Sequence, residues 1–341
     1  MLKRFLGRKS LFILNKNRHI RCFSDTISNE FVGVWPIIAT PFKSNDETIN
    51  YNDFENIISF FTNKVNVNGV TITGVLGESN RLIESERDEL IKIACNISSK
   101  PVCVGTSNTG TLSTIKLSEN AIKYGAHSVM ITPNKEPIVN QDKIIEYYTK
   151  INQALPELKI VLQDHPASTQ VNMTTNTLET IVKECNNQIK CIKLESLPSP
   201  PKIGRLVKYI DKNNFDCKIL TGLGGLYAIF DIESGSHGYM TGFAFPEILM
   251  NIVNEYNKGN INIAREIFSK YSSLIIFEQQ PGVGIRKEIY KLRGLLNDTH
   301  VRHPGNNASK CQINQLNTWI QYLFNNIDIT KPIDNQILLP K

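Results

Sequence analysis

From about residue 31 the chain alternates short apolar runs with longer segments whose apolar residues recur every three or four positions. The runs are Val32–Ala39, Gly69–Gly74, Val102–Gly105, Ser128–Thr132, Ile160–Asp164, Ile189–Leu194, Lys218–Gly222 and Gly238–Gly242. Short, nearly continuous apolar runs rich in valine and isoleucine suit strands buried on both faces. Between them, Tyr51–Asn63, Ser85–Ile97, Thr111–Tyr124, Lys143–Ala154, Thr177–Glu184 and Pro201–Tyr209 carry a helical period. Strands alternating with helices predict a parallel sheet. Eight strand candidates in about 220 residues predict a closed (β/α)8 barrel, the TIM-barrel architecture, over residues 31–245 rather than an open sheet.

Four further segments, Pro246–Lys258, Ile261–Phe277, Gly284–Leu295 and Lys310–Phe324, also read as helices. They exceed the single helix that finishes a barrel, so residues 246–325 are expected to form a C-terminal helical extension. The tail, residues 326–341, contains Pro332 and Pro340, shows no period and is expected to be loosely ordered. A hydrophobic fraction of 41% suits a globular protein with a sizeable core. No apolar run reaches the length of a membrane-spanning helix, and no membrane partner is expected.

Charge changes the picture at one end only. The net charge is +6, but Lys3, Arg4, Arg8, Lys9, Lys16, Arg18 and Arg21 all precede the first acid, Asp25. Without residues 1–23 the chain is nearly neutral, which leaves no basic field for nucleic acid. The segment 1–23 is basic, acid-free and interrupted by Phe5, Leu11, Phe12, Ile13 and Leu14. That is the composition of a mitochondrial targeting peptide addressed to the matrix, with Arg21-Cys22-Phe23-Ser24 as the cleavage region. A disordered basic arm is the alternative. The seven cysteines are scattered without C-x-x-C pairs and read as reduced core residues. His300 and His303 have a metal-like spacing without the full ligand set a site needs, so no metal site is expected there and a surface or turn role is.

The candidate chemistry centres on Lys193, within Ile189-Lys190-Cys191-Ile192-Lys193-Leu194-Glu195. In a strand, Cys191 and Lys193 share one face and Ile192 and Leu194 the other. A lysine in a buried strand is costly unless its amine is used. It is either an ion-paired barrel lysine or an amine that forms an imine with a keto acid. Glu195 complicates the second use. At roughly 7 Å along the strand and an effective dielectric of ~20, its charge would favour the ammonium by about 2.4 kcal/mol. Either Glu195 turns away where the strand ends, or another cation holds it.

Active sites in such barrels lie at the C-terminal ends of the strands. There the chain carries Gly74-Val75-Leu76-Gly77-Glu78, Thr132-Pro133-Asn134-Lys135, Gln163-Asp164-His165-Pro166 and Gly222-Leu223-Gly224-Gly225. Together with Gly33 through Pro41-Phe42, Leu82, Glu86-Arg87, Tyr124-Gly125-Ala126 and Lys193, this set resembles the dihydrodipicolinate synthase/N-acetylneuraminate lyase family of class I aldolases. The resemblance runs from about Val32 to Phe324. It implies a Schiff-base aldolase or lyase acting on a 2-oxo acid such as pyruvate or 4-hydroxy-2-oxoglutarate. Lys193 would form the imine. The turn from Gly74 to Gly77 would hold the carboxylate through backbone amides, a role falling to Leu76 and Gly77. No metal or organic cofactor is needed, because the protonated imine is itself the electron sink. The resemblance also implies a homo-oligomer, a tetramer.

Departures from the family pattern shape the expectation. Gln163 stands where the family usually has a proton-carrying tyrosine, and an amide cannot carry a proton. Val75 and Leu76 replace hydroxyl side chains, Asn134-Lys135 replace a second tyrosine region, and Ser168 replaces an arginine that binds a second carboxylate. These changes speak against the dihydrodipicolinate synthase reaction itself. His165, two residues beyond Gln163 on the same side of an extended chain, is a candidate proton shuttle; water held by Gln163 is another, and alternation points Asp164 away. Lys135 could bind an anionic substrate tail. A non-catalytic barrel that retains a keto-acid pocket is the reading from another class. One expectation is testable without any structure: a fluorescent fusion of residues 1–30 should enter mitochondria, and a purely cytosolic signal would remove the targeting assignment.

Overall fold

The structure, a computed structural model, describes residues 30–280 and 282–333. The segment expected to target the mitochondrion lies outside them. The strands are β1 (Gly33–Pro36), β2 (Val70–Ile72), β3 (Val102–Gly105), β4 (Ser128–Ile131), β5 (Ile160–Asp164), β6 (Ile189–Leu194), β7 (Lys218–Thr221) and β8 (Gly238–Thr241). All pairings are parallel, in the order β1-β8-β7-β6-β5-β4-β3-β2. A parallel bridge between Ile37 and Thr71 joins β1 to β2 and closes the ring. The helices are α1 (Tyr51–Ser59), α2 (Glu84–Ile97), α3 (Thr111–Lys123), α4 (Gln141–Ala154), α5 (Pro166–Thr169), α6 (Thr175–Glu184), α7 (Ser199–Lys212), α8 (Ala228–Glu233), α9 (Pro246–Asn257), α10 (Ile261–Gln279), α11 (Val283–Leu292) and α12 (Lys310–Leu323). The chain is a (β/α)8 barrel with a C-terminal helical extension. Among the described residues no helix is long and apolar enough to cross a membrane.

Strand alternation divides the apolar residues into two separate clusters. Trp35, Ile37, Cys103, Met130, Val161, Cys191, Leu220 and Met240 fill the barrel interior. Val34, Val104, Val129, Leu162, Ile192, Leu194, Ile219 and Tyr239 face outward and pack with the helices. Both clusters are inaccessible to water, which is why the strands read as continuous apolar runs. Cys103, Cys185, Cys191 and Cys217 are buried and free, and burial pushes the Cys103 thiol up to about 12.

Helix boundaries follow identifiable caps. Asn50 caps α1, accepting from the Asp53 amide, and Asn140 starts α4 before the expected Lys143 by accepting from Asp142 and Lys143. The α1 helix ends at Ser59 and the chain continues as a π-helical turn through Phe60–Val65. The short α5 and α8 were not expected; at four and six residues they carry too little periodicity to be read. The tail also departs from expectation. Ile333 is buried, and the Ile329 carbonyl accepts from Arg293, so the described part of the tail is docked.

Buried ion pairs fasten the extension to the barrel. Lys287 on α11 sits 2.6 Å from Glu78, just after the β2 turn, and also donates to the His300 carbonyl. Arg302 forks onto both oxygens of Glu86 at 2.7 and 2.6 Å. Arg293 binds Glu247 and the Ala244 carbonyl. His300, read for its metal-like spacing, instead bonds Glu47 at 3.0 Å. Burial draws the Lys287 amine down, and Glu78 works against that. Glu78 also pairs with Arg81 at 2.6 Å, so removing Lys287 leaves its charge only partly compensated. Lys287→Met is therefore expected to cost less than the ~3–5 kcal/mol of a fully orphaned buried charge, read as a lower urea midpoint.

Candidate active site

The β6 strand carries Lys193 to the C-terminal mouth of the barrel. Lys193 is paired in register with Gln163 on β5 and Leu220 on β7, and all three share the interior face. Asp164 and Leu194, one residue on, face the helix layer. Asp164 is occupied there by Lys202 at 2.5 Å and Ser196 at 2.7 Å, so it takes no part at the mouth.

Glu195 takes neither expected course. It does not turn away, and no outside cation holds it. Its Oε2 lies 3.0 Å from Lys193 Nζ, and the two side chains are 6% and 2% exposed. At an effective dielectric of ~20 that separation corresponds to about 5.5 kcal/mol of attraction, more than twice the figure for an extended strand. Other donors fix the carboxylate. Gln163 Nε2 donates to Oε2 at 2.6 Å, and the Leu223 amide donates to Oε1 at 3.2 Å. The β7 loop leaves room for it: a Cβ added at Gly222 would collide with Oε1. Burial raises the Glu195 carboxyl, but Lys193, His165 and the Gln163 amide outweigh it and hold the group below its ordinary range.

His165 caps α5 and reaches the same cluster. Its Nδ1 lies 3.8 Å from Glu195 Oε2 and 2.8 Å from Ser168 Oγ. Burial draws the imidazole below its ordinary value, Glu195 opposes that, and Lys193 reinforces it. The shift favours the neutral ring, the form able to accept a proton. Lys193, Glu195, Gln163 and His165 form one connected group. Gln163 acts within it as a positioning donor to Glu195.

The β2 turn corrects one assignment. Val75–Gly77 is a 3-10 turn in which the Gly77 amide donates to Gly74 O at 3.0 Å and the Glu78 amide to Val75 O at 3.0 Å. Gly77 therefore cannot supply the expected donor. The first amides of such a turn have no acceptor within it, which leaves Val75 and Leu76 to face an anion. Gly74 and Gly77 shape the turn, and Thr40 Oγ1 holds the Gly77 carbonyl at 2.7 Å. Lys135 is also placed differently from expectation. It is exposed and donates to the Gln170 side chain beyond α5, outside the Lys193 group.

Glu195 had registered in the sequence only as an obstacle to Lys193. The Lys-x-Glu spacing was the available signal. The contact with Gln163 and the loop after β7 was not readable from it.

A closed parallel barrel with a buried lysine at its mouth suits the class I aldolase type of enzyme, which works through an imine and makes or breaks carbon–carbon bonds. The profile of the Dihydrodipicolinate synthetase family matches residues 30–323, and the chain belongs to that family. The 4-hydroxy-tetrahydrodipicolinate synthase of Methanococcus aeolicus is 31% identical over 250 residues, which is 71% of this chain and 82% of that protein. The enzyme of the same name from Methanococcoides burtonii is 28% identical over 278 residues, 80% of this chain and 92% of its own. Among solved structures, dihydrodipicolinate synthase from Rhodopseudomonas palustris superposes with a TM-score of 0.81 at 28% identity, covering 85% of this chain and 97% of that one.

A Cβ at Gly222 would stand within contact distance of Glu195 Oε1, so a substitution there meets the carboxylate directly. Gly222→Ala is expected to unseat Glu195 and slow reductive trapping of pyruvate on Lys193 by about tenfold or more. An unchanged trapping rate would show that the position of Glu195 does not matter.

Proposed function

We propose that this protein cleaves or forms a carbon–carbon bond in a 4-hydroxy-2-oxo acid such as 4-hydroxy-2-oxoglutarate, through an imine on Lys193, with Glu195 as the proton carrier in place of a tyrosine. The observation that carries this is the 3.0 Å contact between the buried Lys193 amine and the Glu195 carboxylate. The substrate's 1-carboxylate rests on the Val75 and Leu76 amides, which directs its C2 carbonyl toward Lys193.

The amine passes a proton to Glu195 and attacks C2. Glu195 returns a proton to the carbinolamine hydroxyl, which leaves as water and gives the iminium. The iminium accepts the electron pair of the C3–C4 bond as a base removes the proton from the 4-hydroxyl. His165, neutral and beside Glu195, is that base. The products are an aldehyde and an enamine. Protonation of the enamine at C3 and hydrolysis return pyruvate and free Lys193.

A second reading is the synthase reaction with aspartate semialdehyde, supported by the names of the relatives. Gln163 and Ser168 stand against it, because neither carries a proton or a positive charge. We also propose import into the mitochondrial matrix, supported by the composition of residues 1–23, and assembly as a homotetramer, supported by the family resemblance.

Incubation with pyruvate and borohydride should place the adduct on Lys193. No adduct with any of several 2-oxo acids would overturn the proposal, and ligand-dependent thermal stabilisation without turnover would favour the non-catalytic barrel. Glu195→Gln is expected to lower kcat by about 10²–10⁴-fold. Because His165 titrates below its ordinary 6.5 and works as the neutral base, activity should fall on acidification only below that pH, and His165→Asn should remove this limb of the profile.

A further inference from the structure

Two buried donors from the C-terminal extension reach the barrel mouth without a partner. Arg286 on α11 is 1% exposed. Its Nε and Nη2 both bind Glu278 Oε1 at 2.5 Å, while Glu278 Oε2 accepts from the Ala244 amide at 3.1 Å. Nη1 is buried with no hydrogen-bond partner among the described residues. Gln279, the last residue of α10, likewise has a buried Nε2 without a partner. A buried donor left unmade costs on the order of 1–3 kcal/mol, so such groups call for an acceptor.

Their places in the fold are specific. Arg286 Nη1 lies 2.7 Å from where a Cβ on Gly242 would stand, and the Leu76 side chain crowds the same point. Gly242 directly follows β8, and Leu76 belongs to the turn that holds the 1-carboxylate. Gln279 lies against Gly224, in the loop after β7 whose Leu223 amide holds Glu195. Gln279 therefore stands at the end of β7 and Arg286 at the end of β8 beside the Leu76 side chain. A side chain at Gly224 or Gly242 would collide with one of them.

Among the described residues, the opposite flank has no comparable buried donor without a partner. Ser168 Oγ is engaged with His165 Nδ1, and Lys135 is held by Gln170. Arg286 offers its N–H at the end of β8 and Gln279 at the end of β7, the neighbouring strand, and a carboxylate has two oxygens to accept such donors. We infer that Arg286 and Gln279 form a subsite for the distal carboxylate of a 2-oxo dicarboxylic acid, whose tail lies toward β7 and β8. This rests on the imine reading and narrows the substrate class to diacids.

The test uses the full chain and two five-carbon probes, 2-oxoglutarate and 2-oxopentanoate. Borohydride trapping on Lys193, read by mass, gives a half-saturating concentration for each. The preference for the diacid should fall by about tenfold or more in Arg286→Gln, the loss of one charge-assisted hydrogen bond, and less in Gln279→Leu. If both acids trap on Lys193 and neither variant changes their ratio, the subsite is refuted and the imine reading stands. If neither acid traps in the unaltered protein while pyruvate does, the subsite is refuted and the imine reading stands; if pyruvate also fails to trap, the imine reading fails and takes the subsite with it. Should Arg286→Gln not fold by circular dichroism, the half-buried Gln279 decides: an unchanged ratio in Gln279→Leu overturns the assignment.

Discussion

A lysine and a glutamate lie side by side inside the mouth of the barrel, and much of the surrounding structure keeps them there. Taking two charges out of water costs several kcal/mol for each, and their attraction offsets this only when the geometry is close and the remaining acceptor sites are filled. Here the distance is 3.0 Å, and the Gln163 amide and the Leu223 backbone fill the carboxylate's other positions. The pair draws on three neighbouring strands: Gln163 ends β5, Lys193 and Glu195 end β6, and the Leu223 amide follows β7. It therefore exists only when those strands are paired in register.

The same pair sets the chemical problem of the site. A class I aldolase needs an amine that can lose its proton and a group that can take it and return it. A carboxylate in direct contact is within reach to do so, while its charge favours the ammonium, so the proton must pass against that attraction. A buried, coupled pair can move the proton internally and keep its net charge at zero, which suits a site shielded from water. Gln163 cannot carry a proton, yet it donates to Glu195, the group proposed to carry one. The residue that departs most plainly from the family pattern thus supports its replacement.

The C-terminal extension contributes to the site as well as to stability. Lys287 and Arg302 bind acids close after the β2 turn and stack over Phe42, so the turn with the free Val75 and Leu76 amides is braced from outside the barrel. Arg286 and Gln279, from the same helices, reach over the ends of β7 and β8. The family's usual cation on the β5 side is absent, and polar groups stand on the other flank. A change of that kind re-aims the pocket while the barrel and its nucleophile stay in place.

Much of this was legible in the chain. Strand and helix rhythm specified the barrel, because periods of 2 and 3.6 follow from local backbone geometry. Alternation placed Lys193 and Gln163 on the interior face and sent Asp164 outward. It could not say where the tip of Glu195 would rest, because that depends on a glycine in the loop after another strand. It assigned the anion turn one residue too far along, because which amides stay free depends on the 3-10 hydrogen bonds within the turn. Ser168 marked a lost cation and Lys135 suggested a site for a tail, yet Lys135 lies with Gln170 away from Lys193, and nothing local linked Arg286 to Gly242. Backbone period and side-chain face belong to neighbours along the chain and are written there. Contacts between the ends of side chains depend on strand register and helix docking, which are settled only when the ring closes.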